Sequence, residues 1–443
     1  MNTNQAEPQP KQLTGKDRGL IAALAEQGTY RNSQVVNLGG VPYSMREVLI
    51  AAPLIAGLNV YLVGGTGEGK TQLANDLAGF FGSQYCYAEG RPDFELAELL
   101  KQVNLGRLHE AKTDRELIEL TENVQKALFY VDEINRCPPI VQNYFFNFFD
   151  GKLVHGGKIL RLGKDGYAVG YASGNIGDGA YVGIQDSDRA LKDRMHLIVK
   201  LDYPDYATTE EDDQEIFGGS KSPRAKLLEG KEDYTSQIID IHRRFGEREV
   251  PLVLRVLGAY FHKGLDWLEN TSKHSKRAVD QGWPNVSGIR TDTDENKVMP
   301  LSKRAVLATM SLTESLRWIA EAKMVQAPDA VELYLDALRL TIPYSGVLSS
   351  QYVQMECGGD PYVGFDNLMA GWRSEITGKK SDLETALAYA LYGEREESLL
   401  DKICPPGVQG RWAPVRRSIE YLASKPTLDT QKINTLREEY KKA

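Results

Sequence analysis

The chain has 443 residues, more than one hydrophobic core usually supports, so two or three packed units are expected. A composition of 42% hydrophobic and 26% charged residues excludes fibrous and wholly disordered classes, and a formal charge of -8 argues against a phosphate-backbone binder while leaving a local basic patch open. The four cysteines, Cys86, Cys137, Cys357 and Cys404, lie far apart without a CxxC pair, which fits neither a disulfide framework nor a zinc site and suits a reducing cytoplasm.

In chain order, residues 1–16 are polar, contain Pro8 and Pro10 and lack the apolar centre of a signal peptide, so export is not expected. Residues 16–27 have helical spacing, with Leu20, Ile21, Ala23, Leu24 and Ala25 on an apolar side. The uncharged stretch 48–65 nearly has the length of a membrane span. Pro53 and the Gly57-Leu58-Asn59 break divide it instead into a buried helix (44–56) and a buried strand (59–63).

Between 42 and 201, helical patterns alternate with short β-rich runs at 60–63, 128–131, 167–172 and 196–201, which predicts an α/β sheet. The acidic segment 202–213, with Glu210-Glu211-Asp212-Asp213, reads as a solvated linker near a boundary. Beyond it the chain reads as helices at 234–245, 250–270, 302–325, 328–340, 381–392 and 432–442. Residues 271–299 are polar and hold Gly282, Pro284 and Gly288, the composition of a long surface loop.

Chemistry concentrates in four places. The run Gly64-Gly65-Thr66-Gly67-Glu68-Gly69-Lys70-Thr71 has the GxxxxGKT spacing of a phosphate loop, between a predicted strand and an apolar-periodic helix (72–81). Its glycines let backbone N–H groups face phosphate, Lys70 adds a positive charge for the β and γ phosphates, and the Thr71 hydroxyl can ligate magnesium. Alone, the loop implies triphosphate binding, a property shared by kinases, GTPases, transporters and motors. The strand at 128–131 ends in Asp132-Glu133, where one carboxylate can hold magnesium and the next can position or deprotonate a water. Asn175 in Ser173-Gly174-Asn175 is by type a turn former, or a hydrogen-bonding group for water or phosphate. Arg189 and Arg194 are helix-surface charges, or guanidiniums brought to a γ phosphate, which such fingers reach from a neighbouring subunit.

Taken together these residues resemble an AAA+ ATPase, specifically the MoxR family. Asp132-Glu133-Ile134-Asn135-Arg136-Cys137-Pro138-Pro139 is similar to that family's DEINRxPP signature, with Gln142 following in place. The run from Phe149-Asp150-Gly151-Lys152-Leu153-Val154 to Gly163 resembles its β-hairpin insertion, and Ser173-Gly174-Asn175 its sensor-one strand end. Ala190-Leu191-Lys192-Asp193-Arg194 resembles its A-x-x-DRF element with Met195 in place of Phe, and Ser302-Lys303-Arg304-Ala305 its S-x-R-A helix start. The match covers 42–340, and nothing past 343 takes part. The run Thr66-Gly67-Glu68-Gly69, where many members have a Pro-Gly-x-Ala-like version, and the long interval 202–304 depart from the pattern and mark an outlying branch.

The resemblance implies a P-loop AAA+ core with a parallel sheet and a helical lid, and the helical spacing beyond it adds an extra, mostly helical C-terminal region. It organises the chain as a polar tail and helix (1–41), a nucleotide-binding core (42–204, hairpin near 150–166), a lid with a long insertion (205–345) and an extension (346–443) that is a candidate partner-binding module. It implies ATP with Mg2+ held by Thr71 and Asp132, Glu133 as the catalytic carboxylate, Asn175 as sensor one, Arg194 as the trans-acting finger and Arg304 as sensor two. Whether Arg189 shares the finger role stays open. It further implies a homo-oligomeric, hexameric ring acting on a client protein, alongside a separate von Willebrand A-type protein, since the metal-adhesion DxSxS sequence is not found here. A nucleic-acid-dependent motor and a slow nucleotide-gated scaffold are the rival classes, and acidity weighs against the first. The basic end of the chain, Arg411, Arg416, Arg417, Lys425, Lys432, Arg437, Lys441 and Lys442, reads most simply as a solvated helical face.

Overall fold

Thr14 opens the first helix, α1 (Gly15–Glu26), with a capping box: its hydroxyl accepts from Asp17 N–H, and the Asp17 carboxylate accepts from Thr14 N–H at 2.8 Å. The computed structural model describes residues 13–94, 101–103, 118–155, 158–175, 189–219 and 232–425. The predicted helix at 432–442 and the basic residues Lys432, Arg437, Lys441 and Lys442 lie outside the described residues, as do Pro8 and Pro10. The chain divides into two compact units, Met1–Arg248 with Ser311–Asp329, and Glu249–Met310 with Ala330–Ala443.

In the first unit an antiparallel pair, β1 (Val35–Leu38) and β2 (Val41–Ser44), precedes the uncharged stretch. That stretch becomes a π-helical turn at Glu47–Ala51, then α2 (Ala52–Ala56), then β3 (Val60–Val63). Next come α3 (Lys70–Phe81), β4 (Tyr85–Glu89), the short antiparallel pair β5 (Lys101–Val103) and β6 (Ile118–Leu120), and β7 (Leu128–Asp132). An apolar helix, α4 (Pro139–Phe149), leads into the hairpin β8 (Lys152–His155) and β9 (Lys158–Arg161). After β10 (Val169–Gly174), α5 (Arg189–Lys192) and β11 (Leu197–Lys200), the unit continues through α6 (Glu210–Gly219) and α7 (Thr235–Phe245).

The predicted sheet is present: five parallel strands in the order β11-β3-β10-β7-β4. β3 and β10 are buried along their whole length, as strands covered on both faces must be. Because all five strands are parallel, their carboxyl ends share one edge of the sheet, where ligands bind in such folds.

The acidic run does not form a solvated linker. Glu210, Glu211, Asp212 and Asp213 make the first turn of α6, where negative charge complements the helix dipole. Asp212 is buried: its carboxylate accepts from the N–H groups of Ser33 (2.8 Å) and Thr209 (3.0 Å), and its own N–H donates to Thr209 Oγ1 (3.2 Å). These bonds hold the Asp212 pKa below the ordinary carboxylate value even though burial opposes ionisation.

The second unit is helical. It contains α8 (Leu252–Ala259), which passes into a π-helical turn at Tyr260–Gly264, and the start of α9 (Lys303–Ala322) through Met310. There follow α10 (Ala330–Thr341), α11 (Ser350–Glu356), the long α12 (Pro361–Leu391), α13 (Glu397–Ile403) and α14 (Ala413–Ala423). One apolar core joins Leu254, Phe261, Met310, Tyr334, Trp372, Leu400 and Val415, so the helices after 346 share their interior with those before it.

Residues 271–299 are not simply a surface loop, because Thr271, Lys276, Asp294 and Glu295 are buried. Lys276 Nζ donates to Val298 O at 2.7 Å, and Asp294 accepts from Trp372 Nε1 at 2.7 Å and from Arg411. The basic end is likewise not one solvated face. Arg416 is buried and bonds Asp401 (2.7 Å), Glu397 (2.6 Å), Glu420 (2.8 Å) and the Cys404 carbonyl (2.7 Å), satisfying the guanidinium fork as a buried arginine requires.

Candidate nucleotide site

The phosphate loop runs from the end of β3 into α3, and Gly69 is the residue at the turn into the helix. Its φ of 77 lies in the left-handed region, and a Cβ there would sit 2.9 Å from the Tyr30 ring. Only glycine meets both conditions. Tyr30 is buried, and burial pushes its hydroxyl pKa up to about 12. The segment around Tyr30 is fixed to α3 by Asp76, which accepts from Thr29 N–H (2.8 Å) and Tyr30 N–H (2.9 Å) and pairs with buried Arg46 at 2.6 Å.

Lys70 Nζ donates to the carbonyls of Gly64 (2.9 Å) and Gly65 (2.5 Å) within its own loop. Burial lowers its pKa, and Asp132, Asp202, Glu68 and Glu133 oppose that lowering, which places the ammonium among four carboxylates. Gly65 N–H already serves an anion, donating to Asp202 Oδ2 at 3.0 Å. Glu68, inside the loop, has its pKa raised by burial and then by Asp202. Thr66, Gly67 and Thr71 are exposed, and Gly64 is buried.

The acidic pair sits two strands from the loop, with β10 between. Asp132 Oδ1 accepts from Ser173 Oγ, and Asp132 Oδ2 accepts from Tyr87 O–H at 3.1 Å. Glu133 occupies the left-handed region at φ 50, a conformation that costs a non-glycine residue about 1–2 kcal/mol. It is held there by its N–H donating to Ser173 Oγ (3.0 Å) and by Gly90, whose N–H donates to Asp132 O at 2.7 Å. Strain of this kind over-determined by neighbours is characteristic of functional sites. The Glu133 carboxylate pairs with Arg136 at 2.8 Å, and burial raises its pKa against the opposing Arg136 charge. A raised pKa suits a proton acceptor working near neutrality.

Asn175 is buried and donates from Nδ2 to Glu133 Oε1 at a long 3.4 Å, while its carbonyl accepts from Asn135 Nδ2 at 2.7 Å. The Oδ1 atoms of Asn175 and Asn135 are buried acceptors with no partner among the described residues. Such orphaned acceptors call for a donor. Gln142, also buried, donates to Cys137 O at 2.9 Å and so braces the turn after the acidic pair.

The structure brings Lys70, Asp132, Glu133 and Asn175 to one sheet edge. Arg194 lies elsewhere in that unit: its Nε donates to Asp150 Oδ2 at 3.1 Å, and its carbonyl accepts from Asn59 Nδ2 at 3.0 Å. Arg304 belongs to the second unit, at the start of α9. Asp188 and the side chain of Arg189 lie outside the described residues. Ser173, Tyr87, Asp202 and Asp150 were not identified as site residues from the sequence. Ser173 had a local signal, standing two residues before Asn175 at the end of an apolar strand.

The residues fit a nucleoside triphosphate. Gly65 N–H in the loop already binds a carboxylate, Lys70 supplies a cation, and the ends of β10 and β7 carry the buried Asn175 and the Asp132 and Glu133 carboxylates. Among the described residues no cluster of three or more His, Cys, Asp or Glu could hold a metal alone, so a magnesium ion here would rest on Thr71, Asp132 and the nucleotide's own oxygens.

Residues 59–195 match the AAA domain (dynein-related subfamily). The first unit carries a P-loop AAA+ core. Among solved structures the chain is similar to a protein from Cytophaga hutchinsonii provisionally assigned as an ATPase, at 14% identity and a TM-score of 0.50, over 74% of this chain and 91% of that one. At that identity the likeness shows the fold alone. No curated protein sequence matches the chain significantly. No described helix is long and apolar enough to cross a membrane.

Proposed function

We propose that the chain is a ring-forming, MoxR-like AAA+ ATPase that hydrolyses ATP and uses the cycle to remodel or assemble a client protein. The observation that carries the hydrolytic part is the strained Glu133, held by Ser173 and flanked by Asn175 on the edge that also carries Lys70. The MoxR assignment rests on the DEINRxPP-like run from Asp132 and on the hairpin β8–β9 after α4.

In this reading Lys70 and the loop N–H groups bind and orient the phosphates. Thr71 and Asp132 would hold magnesium together with the nucleotide, and the ion would supply charge neutralisation at the phosphates. Glu133 takes the proton of the attacking water at its carboxylate, and Asn175 orients that water and the Glu133 side chain. Arg194 acts at a neighbouring subunit's nucleotide in a hexameric ring, and Arg304 is the second sensor. The client, and a von Willebrand A-type recruiting protein in a separate chain, belong to the same proposal.

Phosphate release measured for wild type, Glu133→Gln and Lys70→Ala tests it. Glu133→Gln is expected to keep ATP binding while turnover falls roughly a hundredfold or more, and Lys70→Ala to lose binding. Equal turnover in wild type and Glu133→Gln would remove Glu133 from its role. Stimulation by single-stranded DNA but by no protein would favour a nucleic-acid motor instead.

A further inference from the structure

Outside the nucleotide site, the second unit carries a groove of about 610 Å³ between α8 with its π-helical turn, the start of α9, and α14. Its floor is apolar, built from Val306, Met310, Pro414 and Leu422 with Leu307 and Tyr421. Leu307 on α9 is 63% exposed and Tyr421 on α14 56% exposed, so two large apolar side chains from different helices stand in water. Four exposed cations surround them, Arg255, Lys263, Lys303 and Arg417, and no acidic residue lines the groove.

The charge along the groove is of one sign, whereas many cations elsewhere in the unit are paired. Arg290, Lys297, Arg339, Arg373, Arg411 and Arg416 each face at least one carboxylate within 4.0 Å. Arg255, Lys263, Lys303 and Arg417 make no ion pair among the described residues, in a chain whose net charge is -8. Around the exposed apolar strip these four cations stand with no carboxylate among the residues that line the groove.

We infer that this groove binds an acidic, amphipathic helix of a partner protein, its apolar face on Leu307, Met310 and Tyr421 and its carboxylates toward Arg255, Lys263, Lys303 and Arg417. A groove walled by helices and floored by aliphatic side chains takes a helix through anchors at i, i+3, i+4 and i+7. The four cations select against a basic or neutral amphipathic helix and speed encounter with an acidic one. Nucleic acid suits the site less well, because the lining is mainly aliphatic and its rings are only Tyr421 and His262, where single strands need a series of stacking platforms. Nothing in this inference uses the nucleotide site, so it stands or falls separately from ATP hydrolysis.

The test is fluorescence anisotropy with the full chain and a labelled amphipathic peptide of about 18 residues, roughly five helical turns, with leucines on one face and glutamates on the other. Three further probes accompany it: a scrambled peptide of the same composition, the same helix with lysines for glutamates, and a single-stranded DNA of matching charge. Saturable binding of the acidic helix alone is expected, weakening as salt rises. It should weaken by about tenfold or more in Leu307→Asp and in the double variant Arg255→Glu with Arg417→Glu, the loss typical of central interface residues. All three positions are exposed, so the variants should keep wild-type circular dichroism and basal ATP turnover. Equal binding of scrambled and amphipathic peptides, indifference to both variants, or tighter binding of DNA lost in the same variants would each overturn the proposal. So would a change in the chain's own oligomeric state in those variants without any peptide binding, which would make the groove a contact between copies.

Discussion

Ser173 joins the two acidic positions that sequence chemistry separates into metal ligand and base. Its Oγ donates to Asp132 Oδ1 and accepts from Glu133 N–H, so one hydroxyl fixes a carboxylate and the strained backbone beside it. Ser173→Ala leaves the Glu133 N–H without that acceptor, and Glu133 is then free to relax out of the left-handed region. Because Ser173 acts through its neighbours, the expected result is kcat lowered by about 10- to 100-fold, the range of a misplaced catalytic group, with nucleotide affinity nearly unchanged. Ser173→Thr keeps the hydroxyl and should restore much of the rate. Loss of affinity in parallel with kcat, or no rescue by threonine, would point to a general packing role. The sequence showed Lys70, Asp132 and Glu133 because their chemistry is tied to local spacing. It hid Asp202, which reaches Gly65 from 137 positions away and has no local pattern to announce it.

At the scale of elements, apolar runs announced β3, β7, β10 and β11, whose residues must satisfy burial on both faces. The edge strand β4 was missed, since Tyr85–Glu89 alternates buried and exposed positions and includes a terminal Glu. Polar composition misled twice, at α6 and at 271–299, because a polar side chain can be buried wherever folding supplies partners. Lys276 makes that a measurable matter. Burial, opposed first by Asp294, pushes its pKa down to about 8 from an ordinary value of 10.5. Between those values the unfolded chain holds a proton that the folded lysine has released, so stability rises with pH across that window. Below about pH 8 both states are protonated and the full desolvation cost is present. Relative to Lys276→Met, wild type should therefore gain stability from pH 7 to pH 10, by about 3 kcal/mol at most from a shift of this size. Thermal melts of both proteins across that range check it; a difference that is flat, or that shrinks with pH, contradicts the assignment.

At the scale of the whole molecule, the acidic segment 202–213 suggested a boundary, whereas the first unit runs on to Arg248 and recovers Ser311–Asp329 later in the chain. A chain that leaves a unit and returns gives no compositional sign of doing so. The proposed assembly turns on single residues, and Arg194 is the one that tests it. Asn59 accepts from Gly170 N–H through Oδ1 at 2.8 Å and donates to the carbonyls of Phe149 (2.7 Å) and Arg194 (3.0 Å), tying the Arg194 backbone to the sheet. Asp150, at the foot of the hairpin, pairs with Arg194 Nε, so the guanidinium is oriented by the same segment that leads into β8 and β9. If Arg194 works at a neighbour's nucleotide, Arg194→Ala subunits retain ATP binding but turn over slowly, by about a hundredfold or more given what such fingers contribute. Lys70→Ala subunits are inactive for a different reason, having lost their own phosphate site while keeping an intact Arg194. Mixed before assembly, the two inactive proteins should recover part of the wild-type rate, since some interfaces then combine an intact loop from one subunit with an intact arginine from the next. Activity that stays at the sum of the two parents across all mixing ratios would place Arg194 on its own subunit's nucleotide and withdraw the intersubunit site.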